Sequence, residues 1–244
     1  MDDGPEKEAL LQKFTAVLEN FINTAHTNNI TVDAEGGWRN WAEPGNFYKA
    51  YALMDYVLKY NENHSEKFRG FQFDIEPYLL DSYKNNKESV LKNFLILIHG
   101  SAKKLANTNL DFSVVIPDFY DGLSTETPAF YYGGEKGYTL DHLLRVLKSK
   151  PGSSLIIMSY RNFSQGYNGT IEISKNEIEE ANNSTTRIII AQETGEVSPD
   201  YITFHNTSKS YYLKQLSLIQ KAFSNNKSFG GIATHYINSY MELH

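Results

Sequence analysis

Two acidic residues, Asp74 and Glu76, stand two positions apart at the end of a short apolar run. Side chains alternate along a β-strand, so Gln72, Asp74 and Glu76 share one face, and the two acidic residues lie roughly 6–7 Å apart at Cα. Two partly buried carboxyl groups at this spacing do not both ionise easily, so one pKa is expected to rise. We predict a protonated Glu76 beside an ionised Asp74, the pairing that a general acid requires.

Five other apolar runs also end in residues that can do chemistry. In a parallel α/β fold the carboxyl ends of all strands lie on one face, and active sites form there. The turns that lead from helices into strands carry mainly Asn, Lys and Ser, so the pattern is not a general property of strand ends. The predicted substrate-binding residues are Glu35, Trp38, Gln72, Asp118, Tyr120, Arg161, Gln192, Glu193, His235 and Tyr236. Trp38, Trp41, Tyr120, Tyr160 and Tyr236 are predicted to stack against sugar rings.

The elements that must position these residues alternate regularly. Strands are predicted over residues 30–32, 70–75, 111–116, 154–160, 187–192 and 230–235, and helices over 6–28, 47–60, 87–107, 139–148, 174–181 and 208–224. The strand cores are nearly continuous apolar runs, as in a parallel sheet covered on both faces. We therefore predict an α/β fold, a (β/α) barrel of the TIM type, as a single domain over residues 1–244.

Three helix starts and faces are predicted in more detail. In the first helix, three- and four-residue spacing gives one apolar stripe, formed by Leu10, Leu11, Phe14, Val17, Leu18, Phe21 and Ile22. Thr139 is a candidate N-cap. Ser174, with Glu177 three residues later, has the spacing of a capping box.

Composition excludes several classes of function. The net charge of -6 and the absence of a basic stripe argue against a nucleic-acid partner. No apolar run approaches the roughly 20 residues that cross a bilayer, and no signal peptide is visible. The chain has no cysteine and no H-x-H or H-x-x-x-H pair, so neither thiolate chemistry nor a metal or other cofactor is predicted.

Three segments together resemble glycoside hydrolase family 18, the chitinase-like barrels. Residues 69–76 are similar to the signature D-G-x-D-x-D-x-E, with Arg69 and Gln72 in place of its first two aspartates. Residues 34–38 resemble the S-x-G-G strand end, with Ala34 for Ser, and residues 158–161 resemble M-x-Y-D, with Arg161 for Asp. The family has these motifs on barrel strands three, four and six, but here they fall on visible strands one, two and four.

This constant offset implies that the six visible strands are strands three to eight and that two N-terminal strands are missing. On that basis the natural protein is expected to have about 40–70 further residues upstream. The resemblance also implies that Glu76 protonates the glycosidic oxygen, that Asp74 orients the 2-acetamido group of the substrate as internal nucleophile, and that Tyr160 helps to position that group. It implies a carbohydrate partner and a location outside the cell or in its envelope.

Two other functions remain open. The departures at Arg69, Gln72 and Arg161 permit a barrel that binds carbohydrate without cleaving it, and they also permit another nucleophile, such as Glu193 or Glu35. A metal-dependent hydrolase could use His235 and the nearby carboxylates as ligands, although a His235 that hydrogen-bonds a carboxylate is the simpler expectation.

Overall fold

The computed structural model describes residues 5–244, with side chains from residue 8 onward. Its elements are α1 (Pro5–Thr27), β1 (Asp33–Gly36), α2 (Phe47–Asn63), β2 (Gly70–Phe73), α3 (Tyr83–Leu105), β3 (Asp111–Pro117), β4 (Phe130–Tyr132), β5 (Glu135–Gly137), α4 (Thr139–Val146), β6 (Ser154–Met158), α5 (Thr170–Ile173), α6 (Lys175–Ala181), β7 (Arg187–Glu193), α7 (Lys209–Phe223), β8 (Phe229–His235) and α8 (Ile237–Glu242). Short 3-10 turns join several of them.

Six of these strands form one parallel sheet in the order β1-β2-β3-β6-β7-β8. The order of the strands in the sheet follows their order in the chain. After each strand, the chain passes through helical structure before it forms the next parallel strand of the sheet. This confirms the prediction of an α/β fold with a parallel sheet. The 3-residue strands β4 and β5 pair as a separate antiparallel hairpin between β3 and α4, where the sequence predicted neither a strand nor a helix.

The main core lies between the sheet and its helices. Phe71, Phe73 and Ile75 of the β2 segment are each at most 1% exposed. The rings of Phe71 and Phe73 meet edge to face at 4.8 Å between centroids, and Phe73 meets Phe112 of β3 at 5.8 Å in the same way. Such geometry is favourable for aromatic pairs beyond the area that they bury. A smaller apolar cluster, centred on Val115, Ile156 and Ala191, lines the other face of the sheet.

The first helix is present as predicted, and only part of its apolar stripe is buried. Ile22 of α1 is fully buried and Leu18 packs against the core, but most of the apolar stripe faces outward. Leu10, Leu11, Phe14, Val17 and Phe21 are all more than half exposed. The periodicity predicted the helix correctly, but only the part of the stripe near its carboxyl end contacts the sheet.

Three local predictions also need correction. The first strand begins at Asp33 rather than at Ile30, because pairing with β2 starts where Asp33 lies opposite Gly70. The N-cap of α4 is Tyr138 rather than Thr139, and the Tyr138 amide donates to the Asp141 carboxylate at 2.7 Å. Ser174 precedes α6, but its hydroxyl donates to the Ser159 hydroxyl at 2.7 Å instead of accepting from the helix.

Candidate functional site

The polar face of β2 points where its alternation predicted. Gln72, Asp74 and Glu76 are partly exposed, whereas their immediate neighbours along the chain are buried under the helices. The carboxyl ends of the other parallel strands surround this face. Glu76, Glu35 and His235 lie close enough to Asp74 for their charges to shift its pKa. Residues of β1 and β8 therefore form one cluster with the two acids that follow β2. We refer to this cluster, with Tyr160, as the mouth.

Asp74 is a carboxyl group of the mouth with a raised pKa. Burial disfavours its ionised form, and the negative charges of Glu76 and Glu35 add to the effect, which raises the pKa of Asp74 to about 6. The nearby His235 acts in the opposite direction. The Oδ1 atom of Asp74 is buried and accepts no hydrogen bond from any residue between 8 and 244. The sequence predicted an ionised Asp74, whereas a carboxyl with a pKa of about 6 becomes half protonated as the pH falls to that value.

Glu76 has a neighbour that the sequence did not reveal. The hydroxyl of Tyr78 donates a short hydrogen bond to Oε1 of Glu76. Burial and the Glu76 hydrogen bond raise the pKa of Tyr78 far above its ordinary range, so that this phenol stays a donor. The only sequence signal was its position two residues after Glu76, across Pro77.

Glu35 lies at the end of β1, beside the polar face of β2. Its Oε2 accepts from the Gln72 amide at 2.7 Å, so Gln72 binds a carboxylate of the neighbouring strand. Arg69 lies at the opposite end of the strands. Its Nε donates to Asp33 at 2.9 Å and lies 3.6 Å from Asp111, which makes it a structural ion-pair residue away from the mouth.

Tyr160 and His235 face each other across the mouth. Their rings are nearly parallel, at 19° with 6.3 Å between centroids. Burial, followed by the charges of Glu193, Asp74 and Glu76, raises the pKa of Tyr160, so its hydroxyl remains a hydrogen-bond donor. The Nδ1 of His235 lies 2.7 Å from Oε2 of Glu193, which is the contact expected from the sequence.

Asp118 and Arg161 form the remaining part of the site. The Nη2 of Arg161 lies 3.4 Å from Oδ2 of Asp118, so this cation is paired within the protein. Burial raises the pKa of Asp118, and the charge of Arg161 partly offsets this rise. Trp38 and Tyr236 are 59% and 47% exposed and offer their rings to solvent near the strand ends.

Three of the predicted binding residues are buried: Tyr120, Gln192 and Glu193, the last of which is 4% exposed and binds His235. Tyr120 is 1% exposed and packs against Phe94 and Tyr78, so it presents no face to a sugar. Gln192 is fully buried, and its amide donates to the Ser159 carbonyl at 2.8 Å. Trp41 is also turned toward the core, where it meets Phe73 edge to face. These corrections arise because helix and loop contacts cover residues that end a strand.

The described residues have neither the pattern of a metal site nor that of a membrane-spanning helix. Within residues 8–244, no group of three or more His, Asp or Glu side chains is arranged to hold a metal ion. None of the described helices combines the length and the apolar character required to cross a membrane.

The chain is similar to a solved structure but not to any family model or curated protein. No family model matches the chain, and no curated protein matches it. A similar solved structure is the C-terminal domain of a chitinase candidate from Desulfitobacterium hafniense DCB-2, with 16% sequence identity and a TM-score of 0.46. The alignment covers 71% of this chain and 49% of that one, so it spans about half of that domain's length.

Proposed function

We propose that the protein is a glycoside hydrolase in which Glu76 donates the proton to the leaving glycosidic oxygen. The observation that carries the proposal is the placement of Asp74 and Glu76 side by side on the open face of β2, within a mouth that also contains Tyr160. A general acid needs a carboxyl group that faces the substrate and a second group that controls the charge around it.

The proposed reaction divides the work among three residues. Glu76 protonates the glycosidic oxygen while the bond to the anomeric carbon breaks. Asp74 accepts a hydrogen bond from the 2-acetamido group of the sugar, whose carbonyl oxygen attacks the anomeric carbon, and Tyr160 donates to that group. Water then opens the cyclic intermediate after losing its proton to Glu76. The substrate is therefore a glycan that contains N-acetylhexosamine, and a cell-wall or matrix polymer of this kind would place the activity outside the cell.

The decisive experiment uses Glu76→Gln on a panel of polysaccharides and oligosaccharides. We expect the wild type to release reducing ends from at least one N-acetylhexosamine polymer, and Glu76→Gln to lower the rate by about 100-fold or more. Glu88→Gln, at an exposed residue on α3, is the matched control and should retain full activity. Unchanged turnover in Glu76→Gln would rule out this assignment.

A second candidate function is carbohydrate binding without cleavage. It is favoured by one observation: both residues that depart from the family signature at the mouth are paired within the protein, Gln72 with Glu35 and Arg161 with Asp118. The same panel separates the two functions, since a binding protein would retain a glycan and release no product.

We also propose that the six parallel strands correspond to strands three to eight of a (β/α) barrel and that the chain forms one domain. The strictly sequential strand order supports this correspondence. A single domain should unfold in one transition that circular dichroism and calorimetry detect at the same temperature. Two separate transitions would contradict it.

A further inference from the structure

A cavity of about 410 Å³ lies beside the mouth, between the loop after β3 and the loop after β6. Its lining includes Asp118, the first residue after β3, and Arg161, the third residue after β6. The other residues that the argument uses are Leu123, Tyr167, Asn168 and Glu172. The cavity therefore lies next to Tyr160 of the mouth in the chain, but it is formed by different side chains.

The polar side of the cavity is held rigidly. Nη1 of Arg161 donates to the Tyr160 carbonyl at 2.8 Å, and Nη2 donates to the Asn168 side chain at 3.0 Å. Tyr201 packs under the guanidinium, with 5.7 Å from Cζ to the ring centroid. The Nε atom of Arg161 is buried without a hydrogen-bond partner among the described residues. A guanidinium fixed in this way is a preorganised polar contact for a bound molecule.

The apolar side of the cavity is exposed. Tyr167 is 92% exposed and Leu123 is 77% exposed, although both line the same cavity from two different loops. The Tyr167 loop has a defined shape, because Gly166 and Asn168 adopt positive φ angles and the Asn168 amide donates to Glu172. An ordered tyrosine that packs on nothing gains little in folding, whereas a ring bound between Tyr167 and Leu123 would bury both.

Acidic side chains outnumber the basic one in this lining. Asp118, Asp121, Glu126 and Glu172 contribute carboxylates, and Arg161 is already paired with Asp118. A ligand with its own carboxylate or sulfate would meet repulsion from this surface. A sugar ring without an acidic group has an apolar face for the two exposed side chains and hydroxyl groups for the polar side.

We propose that this cavity binds one hexose unit that carries no acidic substituent, as a recognition site adjoining the mouth. The inference rests on the proposed function only in that it assumes a glycan ligand, and it does not require Glu76 to cleave that glycan. Tyr167 supplies the stacking surface, and Arg161 with Asp118 supplies the hydrogen bonds.

The test measures binding of three hexasaccharides by titration calorimetry: the hexamers of glucose, of N-acetylglucosamine and of galacturonic acid. The full chain should bind at least one of the first two and should bind the galacturonic acid hexamer at least tenfold more weakly. Tyr167→Ala should weaken binding of the preferred hexamer about tenfold, because a stacked aromatic contact is lost. Tyr131→Ala removes another exposed tyrosine, 63% accessible and outside the cavity lining, and should leave the affinity unchanged.

The proposal is overturned if Tyr167→Ala binds like the wild type, if the galacturonic acid hexamer binds as tightly as the others, or if none of the three binds. Its failure is distinguishable from that of the proposed function, because Glu76→Gln is judged by turnover and Tyr167→Ala by affinity. A Glu76→Gln protein that binds the hexamer normally but does not cleave it would support both.

Discussion

His235 at the end of β8 is bound through Nδ1 to the buried carboxylate of Glu193 on β7, at 2.7 Å. The other oxygen of Glu193 accepts from the Gly195 amide at 2.5 Å, so the carboxylate has a partner at each oxygen. The imidazole is itself more than half exposed and faces Tyr160. Two adjacent strands thus hold a histidine at the mouth in one orientation.

Replacement of Glu193 by Gln should change the titration of His235. The hydrogen bond that His235 donates to Glu193 raises the pKa of His235 above its ordinary value of 6.5, with burial opposing and the negative charge of Glu193 adding. We therefore expect the pKa of His235 in Glu193→Gln to fall, as measured by NMR of the imidazole ring. An unchanged titration would show that the contact has no electrostatic effect.

The same pair should stabilise the fold in a limited pH window. Burial alone would raise the pKa of Glu193, but the hydrogen bonds from His235 and Gly195 outweigh it and lower the pKa below 4.5. The contribution of Glu193 is present above 4.5 and is lost as pH falls through its folded-state pKa. That of His235 is complete below 6.5 and is lost as pH rises through its folded-state pKa. Denaturant unfolding should show the largest difference between wild type and Glu193→Gln between these two values.

Asp74→Asn should separate stability from activity. The pKa of Asp74 rises from 3.8 to about 6, so ionisation of this carboxyl opposes folding, and its cost appears as pH rises through that interval. At pH 8 we expect Asp74→Asn to be more stable than the wild type by about 1 kcal/mol, after allowance for solvent screening of a partly exposed group. At pH 3 the two should be equal.

In the proposed mechanism the same Asp74→Asn protein loses turnover, because the amide cannot replace the anion that orients the substrate. Asp81→Asn, at an exposed position shortly after β2, is the matched control and should change neither property. A variant that is destabilised at pH 8 would contradict the assignment of the raised pKa.

Glu177 on α6 is a second buried carboxyl, and it lies outside the mouth. It is 1% exposed, and neither oxygen accepts a hydrogen bond of standard geometry from another described residue. Burial raises the pKa of Glu177 well above 4.5, and the charges of Asp121 and Asp118 add to this effect. Ionisation therefore opposes folding, and stability is lost as pH rises above 4.5.

We expect Glu177→Gln to raise the free energy of unfolding at pH 8 by about 1–2 kcal/mol and to have little effect at pH 4. Glu179→Gln changes an exposed residue of the same helix and should have an effect within about 0.5 kcal/mol at both values. A loss of stability in Glu177→Gln at pH 8 would mean that the carboxylate has a stabilising partner.

Two neighbours on α1 test how much of its apolar stripe supports the fold. Ile22 is fully buried, whereas Phe21 is 58% exposed. Ile22→Ala should lower the free energy of unfolding by about 2–4 kcal/mol, because it leaves a cavity in the core. Phe21→Ala should change it by about 0.5 kcal/mol or less. Equal losses from the two substitutions, measured by urea denaturation, would show that the outer face of α1 is also packed.

The parts of the site that sequence alone predicted are those set by local periodicity. The alternation of Gln72, Asp74 and Glu76 with buried neighbours depends only on strand geometry, and it holds. The accessibility of Tyr120 and Gln192 depends instead on contacts with Phe94 of α3 and with Ser159 after β6, which are distant in sequence. For the same reason the cavity beside Tyr167 was missed, since it arises only when two loops approach each other.

The tight packing of the inner face of β2 fixes its register, and the register determines on which face Asp74 and Glu76 lie. Its inner side chains are aromatic or branched, and its outer ones are Gln72, Asp74 and Glu76. A shift of β2 by a single residue against β1 and β3 would turn both acids under the helices and bring Phe73 and Ile75 into water. Such a misregistered molecule would have two buried negative charges and would not persist. Folded molecules therefore carry the two acids on the outer face of the strand, and a slip of this strand should be accompanied by loss of native structure.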